Sequence, residues 1–299
     1  MKQEYRHMIE QIKFTDEEKE RIMKNIENNN VRHGRKPLLA VSIAACVCIA
    51  LMGTAFAVAV GFGIFTWDNG DGTVTWEARE KLFPYDSVTD EARQNFESTD
   101  PENKIIGEVM GSWQEIQKRT GVDLIDSALL DGAEPANYRV RQCYTVTYFP
   151  ESLNINRSHI IDGVTVELIA NVRMEGYKGT DGEVYATEHT FDKTNLGKTY
   201  TLTDGTVVYY NINEYMAGSK VTEFRANFIC GGVEYSLSTT DAQRDKIHSE
   251  MLVKRENLEQ AGKEIDYDEL NAPLRQFQVD PNTDYEGVFF RVLDSFTLE

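Results

Sequence analysis

Residues 38–65 contain no Asp, Glu, Lys, Arg, His, Asn or Gln, and this run of 28 residues constrains the chain more than any other feature. A helix needs about 20 predominantly apolar residues to cross a hydrocarbon core about 30 Å thick, so the run is long enough even when tilted. In lipid its backbone satisfies its own hydrogen bonds only as a helix. Arg32, His33, Arg35, Lys36 and the helix-starting Pro37 stand before it, whereas Thr66, Trp67, Asp68, Asn69 and Asp71 follow. That asymmetry implies a cytoplasmic N-terminus and an extracytoplasmic C-terminal part, with Trp67 and Trp76 suited to the outer interface. The expected organisation is a short helical cytosolic tail over residues 1–36, a transmembrane helix over 37–65, a helical juxtamembrane stalk over 66–136 and an extracytoplasmic domain over 137–299.

A cleaved signal sequence is the competing reading, because Thr54-Ala55-Phe56-Ala57 resembles a small-residue cleavage site. Against it stand a 37-residue leader and an apolar run that continues through Phe62, Ile64 and Phe65, beyond an ordinary signal-peptide core. Gly53, Ala57 and Gly61 recur at four-residue spacing and would let two such helices approach as a homodimer, although small residues are also common in membrane helices. Cys46 and Cys48 lie inside the run and read as small apolar filler.

Charge divides the chain in the same way. The net charge is −18, but the first 36 residues hold nine Lys and Arg against seven Asp and Glu, so the part beyond the run carries −20. Such an acidic segment argues against nucleic acid as a partner. Outside the run only Cys143 and Cys230 remain, enough for one bridge at most and for no disulfide framework.

Two short helical patterns occupy the tail. Tyr5, Met8, Ile9 and Ile12 recur at i, i+3, i+4 and i+7; Thr15 and Glu18 form a capping box ahead of Ile22, Met23 and Ile26. Helices this short are marginal alone and their stripes bury too little for a domain, so something else must cover them. Met8, Ile9, Ile12, Ile22, Met23 and Ile26 are therefore the candidate partner-binding residues. The alternative is a disordered, weakly helical leader.

Beyond the run, Asp68-Asn69-Gly70-Asp71-Gly72 fails the ligand spacing of a calcium loop and reads as a turn. Residues 86–96 and 104–120 read as helical, the second with a Ser112/Glu115 capping box and a stop at Gly121. From Asn137 the period changes to two, with Tyr138, Val140, Gln142, Tyr144, Val146 and Tyr148 on one face. Strands are expected over 164–174, 184–191, 199–202, 207–212, 221–230 and 233–237, punctuated by Asp181-Gly182, Asp204-Gly205 and Gly231-Gly232 turns. Residues 240–260 read as a long helix, capped by Thr240 and Gln243, with Ile247, Met251, Leu252 and Leu258 as the stripe that covers the sheet. Residues 288–293 read as a last strand. The fold expected is α+β, an antiparallel sheet with one long packed helix.

Catalytic signatures are missing from the sequence. The five histidines are scattered without an H-x-x-x-H pair, and neither a G-x-S-x-G nor a Walker motif occurs. The expectation is a non-enzymatic protein with no cofactor and no metal. Cys143 and Cys230 would suit a redox pair, but as small residues in strand patterns they read first as buried hydrophobes.

The tail Ile12-Lys13-Phe14-Thr15-Asp16-Glu17-Glu18-Lys19-Glu20-Arg21-Ile22 precedes a basic flank and an apolar span. Ala226-Asn227-Phe228 and Gly232-Val233-Glu234-Tyr235-Ser236-Leu237 then form a strand pair followed by a helix. In both parts the chain resembles single-pass, anti-sigma-factor-like membrane proteins of low-GC Gram-positive bacteria, whose outer domains are uncharacterised. The resemblance covers about a third of the chain. It implies a tail that holds a cytosolic sigma factor, hence a role in signal transduction and transcription regulation, and an outer domain that senses or is processed. The zinc-binding His and C-x-x-C pattern of some anti-sigma factors is absent from the tail. A surface-displayed envelope or sporulation binding domain, with the tail only a leader, is the other reading.

Overall fold

The computed structural model describes residues 62–99, 105–138, 142–180, 182–215 and 221–297. The cytosolic tail and the small-residue series at Gly53, Ala57 and Gly61 lie outside the described residues. Of the apolar run only its last four residues are described. Among the described residues no helix is long and apolar enough to cross a membrane.

The expected helix does not reach Phe65. Gly63, Ile64 and Phe65 open strand β1 (Gly63–Asp68), where they pair with Arg79, Ala78 and Glu77 of β2 (Thr73–Phe83). The Phe65 ring also carries the Arg79 guanidinium 4.9 Å from its centroid, a contact available to a strand pair and not to a lipid-facing helix. The β1–β2 connection is the expected turn. Asp68 accepts from the Gly70 amide and Asp71 from the Thr73 amide, both at 3.0 Å.

Residues 66–136, expected as a helical stalk, belong to the compact unit that runs to Glu299. Among the described residues they are α-helical only at α1 (Asp90–Ser98), α2 (Trp113–Thr120) and α3 (Ala128–Asp131), with a single 3-10 turn at Tyr85–Ser87. Strand β3 (Ile106–Val109) and the short β4 (Asp126–Ser127) and β5 (Glu134–Pro135) lie between or after them. The Ser112 cap holds, accepting from the Glu115 amide at 3.1 Å, while the Glu115 side chain reaches back to the Gly111 amide at 2.7 Å. Gly121 ends α2 at φ 71°, where a Cβ would come within 2.3 Å of the Ser87 carbonyl oxygen, so only glycine fits.

The main sheet contains β6 (Tyr144–Phe149), β7 (Ser152–Ile161), β8 (Val164–Met174), β10 (Lys198–Thr201), β11 (Val207–Tyr215), β12 (Val221–Cys230) and β13 (Val233–Asp241). Its order is β10-β11-β12-β13-β8-β7-β6-β3, antiparallel throughout. Strands β1 and β2, with β9 (Val184–Asp192), make a three-stranded antiparallel layer. A short parallel pairing of Leu82 and Phe83 with Arg173 and Met174 of β8 joins that layer to the main sheet. Gly231 and Gly232, at φ 59° and 83°, close the β12–β13 hairpin as expected, since a two-residue turn needs both angles positive.

Alternation divides the main sheet into two faces. Val146, Tyr148, Leu153, Ile155, Leu168, Ala170, Phe228, Tyr235 and Leu237 project into the core. The helix that covers their middle is not the expected one. That helix, α4 (Ala242–Gln260), starts one residue later than its proposed cap would place it: Asp241, not Thr240, accepts from the Gln243 and Arg244 amides. Of its proposed stripe only Met251 is buried; Ile247, Leu252 and Leu258 remain half-exposed, and α4 packs chiefly beside α5 (Tyr267–Gln276). Coverage comes from α6 (Tyr285–Asp294), across residues expected as a strand. Tyr285, Val288, Phe289 and Val292 recur at i, i+3, i+4 and i+7, all buried, and Phe289 packs on Phe224 with ring centroids 5.1 Å apart. Asp284 starts this helix by accepting from the Gly287 amide at 2.8 Å.

Candidate functional site

The open face of the main sheet bears a cross-strand row of polar side chains. Thr147, Asn154, Asn171 and Glu234 stand opposite one another on four adjacent strands. Asn154 donates to Asn171 at 2.9 Å and Asn171 to Glu234 at 3.1 Å. Beside this row Asn156 donates to Glu167 at 2.7 Å. Polar residues occupy these positions because side chains here alternate away from the core, and directly opposed pairs lie close enough to bond.

At one end of the row Arg173 joins three elements. Its Nε donates to Glu80 of β2 at 3.0 Å and its Nη2 to Glu234 of β13 at 3.0 Å, while its guanidinium lies 4.7 Å from the Tyr177 ring centroid. Glu80 is only 3% exposed. Burial, opposed by the positive charge of Arg173 and reinforced by the negative charge of Glu234, pushes its carboxyl up to about 7. Two carboxylates thus share one guanidinium at the seam between the three-stranded layer and the main sheet. The arrangement binds and releases a proton near neutral pH, and it presents amides and carboxylates to a polar ligand. Among the described residues no group of His, Cys, Asp and Glu is arranged to hold a metal ion.

On the opposite face lies a second polar cluster. Arg157, fully buried, occupies a core-facing position of β7, donates to Asp131 at 2.6 Å and lies 4.9 Å from the Trp113 ring centroid. Its neighbour Cys143 has its sulfur 3.7 Å from His159 Nε2. This is a thiol and an imidazole rather than a nucleophilic ion pair. Burial raises the Cys143 thiol, and burial with the nearby Arg157 charge lowers His159 to about 4. Cys143 and Cys230 are both free and buried, so neither the bridge nor the redox pair forms. Cys230 lines a cavity of about 230 Å³ together with Ile125, Leu202, Thr203, Asp204, Phe296 and Thr297; burial and Asp204 push its thiol up to about 12. At neutral pH it is protonated and unreactive.

The sequence-based partner residues Met8, Ile9, Ile12, Ile22, Met23 and Ile26 lie outside the described residues. Sequence reasoning missed the Glu80–Arg173–Glu234 cluster, whose members are 61 or more residues apart where they bond Arg173. No family model, curated protein or solved structure matches the chain.

Proposed function

We propose that the chain is a single-pass, anti-sigma-factor-like membrane regulator whose tail holds a cytosolic sigma factor and whose acidic outer domain senses. The observation that carries this reading is the apolar run itself. With its last three residues assigned to β1, residues 38–62 remain, 25 without a charged or amide side chain, and about 20 suffice to span. The sensing role is supported by the half-buried polar row and the shared Arg173 on the open sheet face, a surface suited to binding rather than to covalent chemistry.

A pull-down with the isolated tail, residues 1–36, tests the regulator. The expected result is capture of a sigma factor, weakened well over tenfold by the double change Ile22→Asp and Ile26→Asp, since burying each such side chain contributes roughly 1.5–3 kcal/mol. Cells carrying that double variant should transcribe the partner's regulon without a signal. Unchanged transcription and an empty pull-down would leave the second reading, an envelope or sporulation binding domain displayed through its polar face.

A further inference from the structure

The main sheet ends in two edges of different character. On the β10 side, Lys198, Thr199 and Thr201 are exposed and the Tyr200 hydroxyl is bonded to Asp294, so charge and a side-chain tether discourage a further strand. At the other end β3 pairs only with β6 among the described residues. Among the described residues 105–109 there is no lysine and no proline, and the one charged side chain, Glu108, is turned inward and held by Arg119 rather than placed on the outer line. Ile105 and Val109, which are 62% and 63% exposed, are the most exposed large hydrophobic residues among those described.

Hydrogen-bond phase decides what this edge presents. The Met110 amide donates to the Tyr144 carbonyl at 3.0 Å, so Met110, Glu108 and Ile106 spend their backbone groups on β6. The amides and carbonyls of Ile105, Gly107 and Val109 therefore face away from β6. Their side chains share the outer face, and a Cβ built on Gly107 meets nothing within 4 Å. Ile106 and Glu108 point the other way, where Glu108 is fastened to Arg119 at 2.7 Å, to Asn95 at 2.6 Å and to the Tyr148 hydroxyl at 3.0 Å.

We propose that β3 is a homotypic docking edge, through which two copies of this chain pair antiparallel about a two-fold axis at Gly107. The segment is self-complementary in that register. Gly107 meets Gly107 of the other copy as a hydrogen-bonded pair, and Ile105 meets Val109 on both sides of it, so two exposed apolar residues cover each other twice. The small side chain at the centre lets the two outer faces close without a clash. A pairing of about five residues a side buries less than the roughly 1,200 Å² of a standard stable interface, so the dimer is weak and its register is best read by cross-linking. It does not depend on the membrane reading.

The test uses the full chain with Cys46 and Cys48 replaced by Ser, leaving the buried Cys143 and Cys230 in place. Under mild oxidation Gly107→Cys should give a disulfide-linked dimer as its main product, because hydrogen-bonded partners have Cα atoms about 5.5 Å apart, within disulfide reach. Ile105→Cys alone and Val109→Cys alone should each give less than a tenth as much, since identical residues four positions out of register lie about 13 Å apart. An equal mixture of these two variants should link one to the other, which keeps the test intact if Gly107→Cys folds poorly. Equal cross-linking at all three positions, or no dimer from either Gly107→Cys or the mixture, overturns the proposal; so does a link from Gly107→Cys to a different protein.

Discussion

The two faces of the main sheet use the same backbone for opposite purposes. The inner face buries aromatic and aliphatic side chains under α6, α1 and α2, and Arg157, a fully buried charge on that face, keeps a single carboxylate partner and two aromatic rings. The outer face bonds amide to amide and places Arg173 between two carboxylates. Stability should therefore reside on the inner face and responsiveness to solution conditions on the outer one, because apolar burial does not titrate and a buried carboxylate does.

The largest expected effect lies inside. Phe289→Ala empties a site that touches Phe224, Tyr210 and Phe290, and should cost about 3–5 kcal/mol at any pH between 5 and 9, measured by denaturant unfolding. A loss that varied strongly with pH would break the division between faces.

Next comes Arg173→Met, which leaves Glu80 buried without its cation. The expected loss is about 3 kcal/mol at pH 8 and much less at pH 5, where the carboxyl holds its proton. Equal losses at both values would show that Arg173 acts by packing alone.

Glu80→Gln isolates the titration itself. A carboxyl raised from 4.5 to about 7 binds its proton more tightly in the folded state, so its contribution is complete below about pH 4.5 and declines as pH rises through 7. The native chain should lose on the order of 2 kcal/mol of stability from this group between pH 5 and pH 8, and the variant should show a correspondingly flatter profile of Tm against pH. Asn154→Ala, farther along the row, should leave that slope unchanged.

The smallest effect is expected at Leu252→Asp. Half-exposed on α4, the new carboxylate keeps access to water, and the cost should be about 1 kcal/mol. A loss of several kcal/mol would show that α4, rather than α6 alone, seals the core.

Much of the fold was legible where local chemistry decides local shape. The Gly231-Gly232 hairpin, the Ser112 cap, the Gly121 stop and the alternation of Tyr144, Val146 and Tyr148 each follow from a few adjacent residues. Strand β7 escaped because two of its core-facing positions hold Arg157 and His159, which interrupt the apolar period of two. The missed turn before β8, Asp162-Gly163 at φ 50° and 80°, carried the usual hairpin signal. In α6 the run Val288, Phe289, Phe290 and Val292 suited strand propensity, although Asp284 and the i, i+3, i+4, i+7 spacing already marked a helix.

By itself the sequence determined the charge-free run, the acidic remainder, the turns and an α+β alternation of periods, because each depends on neighbours a few bonds away. Tertiary structure decided which helix covers the sheet, since coverage depends on apolar area presented to a particular face, and the ten residues of α6 present more than the nineteen of α4. It also decided that Glu80, Arg173 and Glu234 meet at one seam: the Glu80 carboxyl is pushed up to about 7 only when folding removes water from around it.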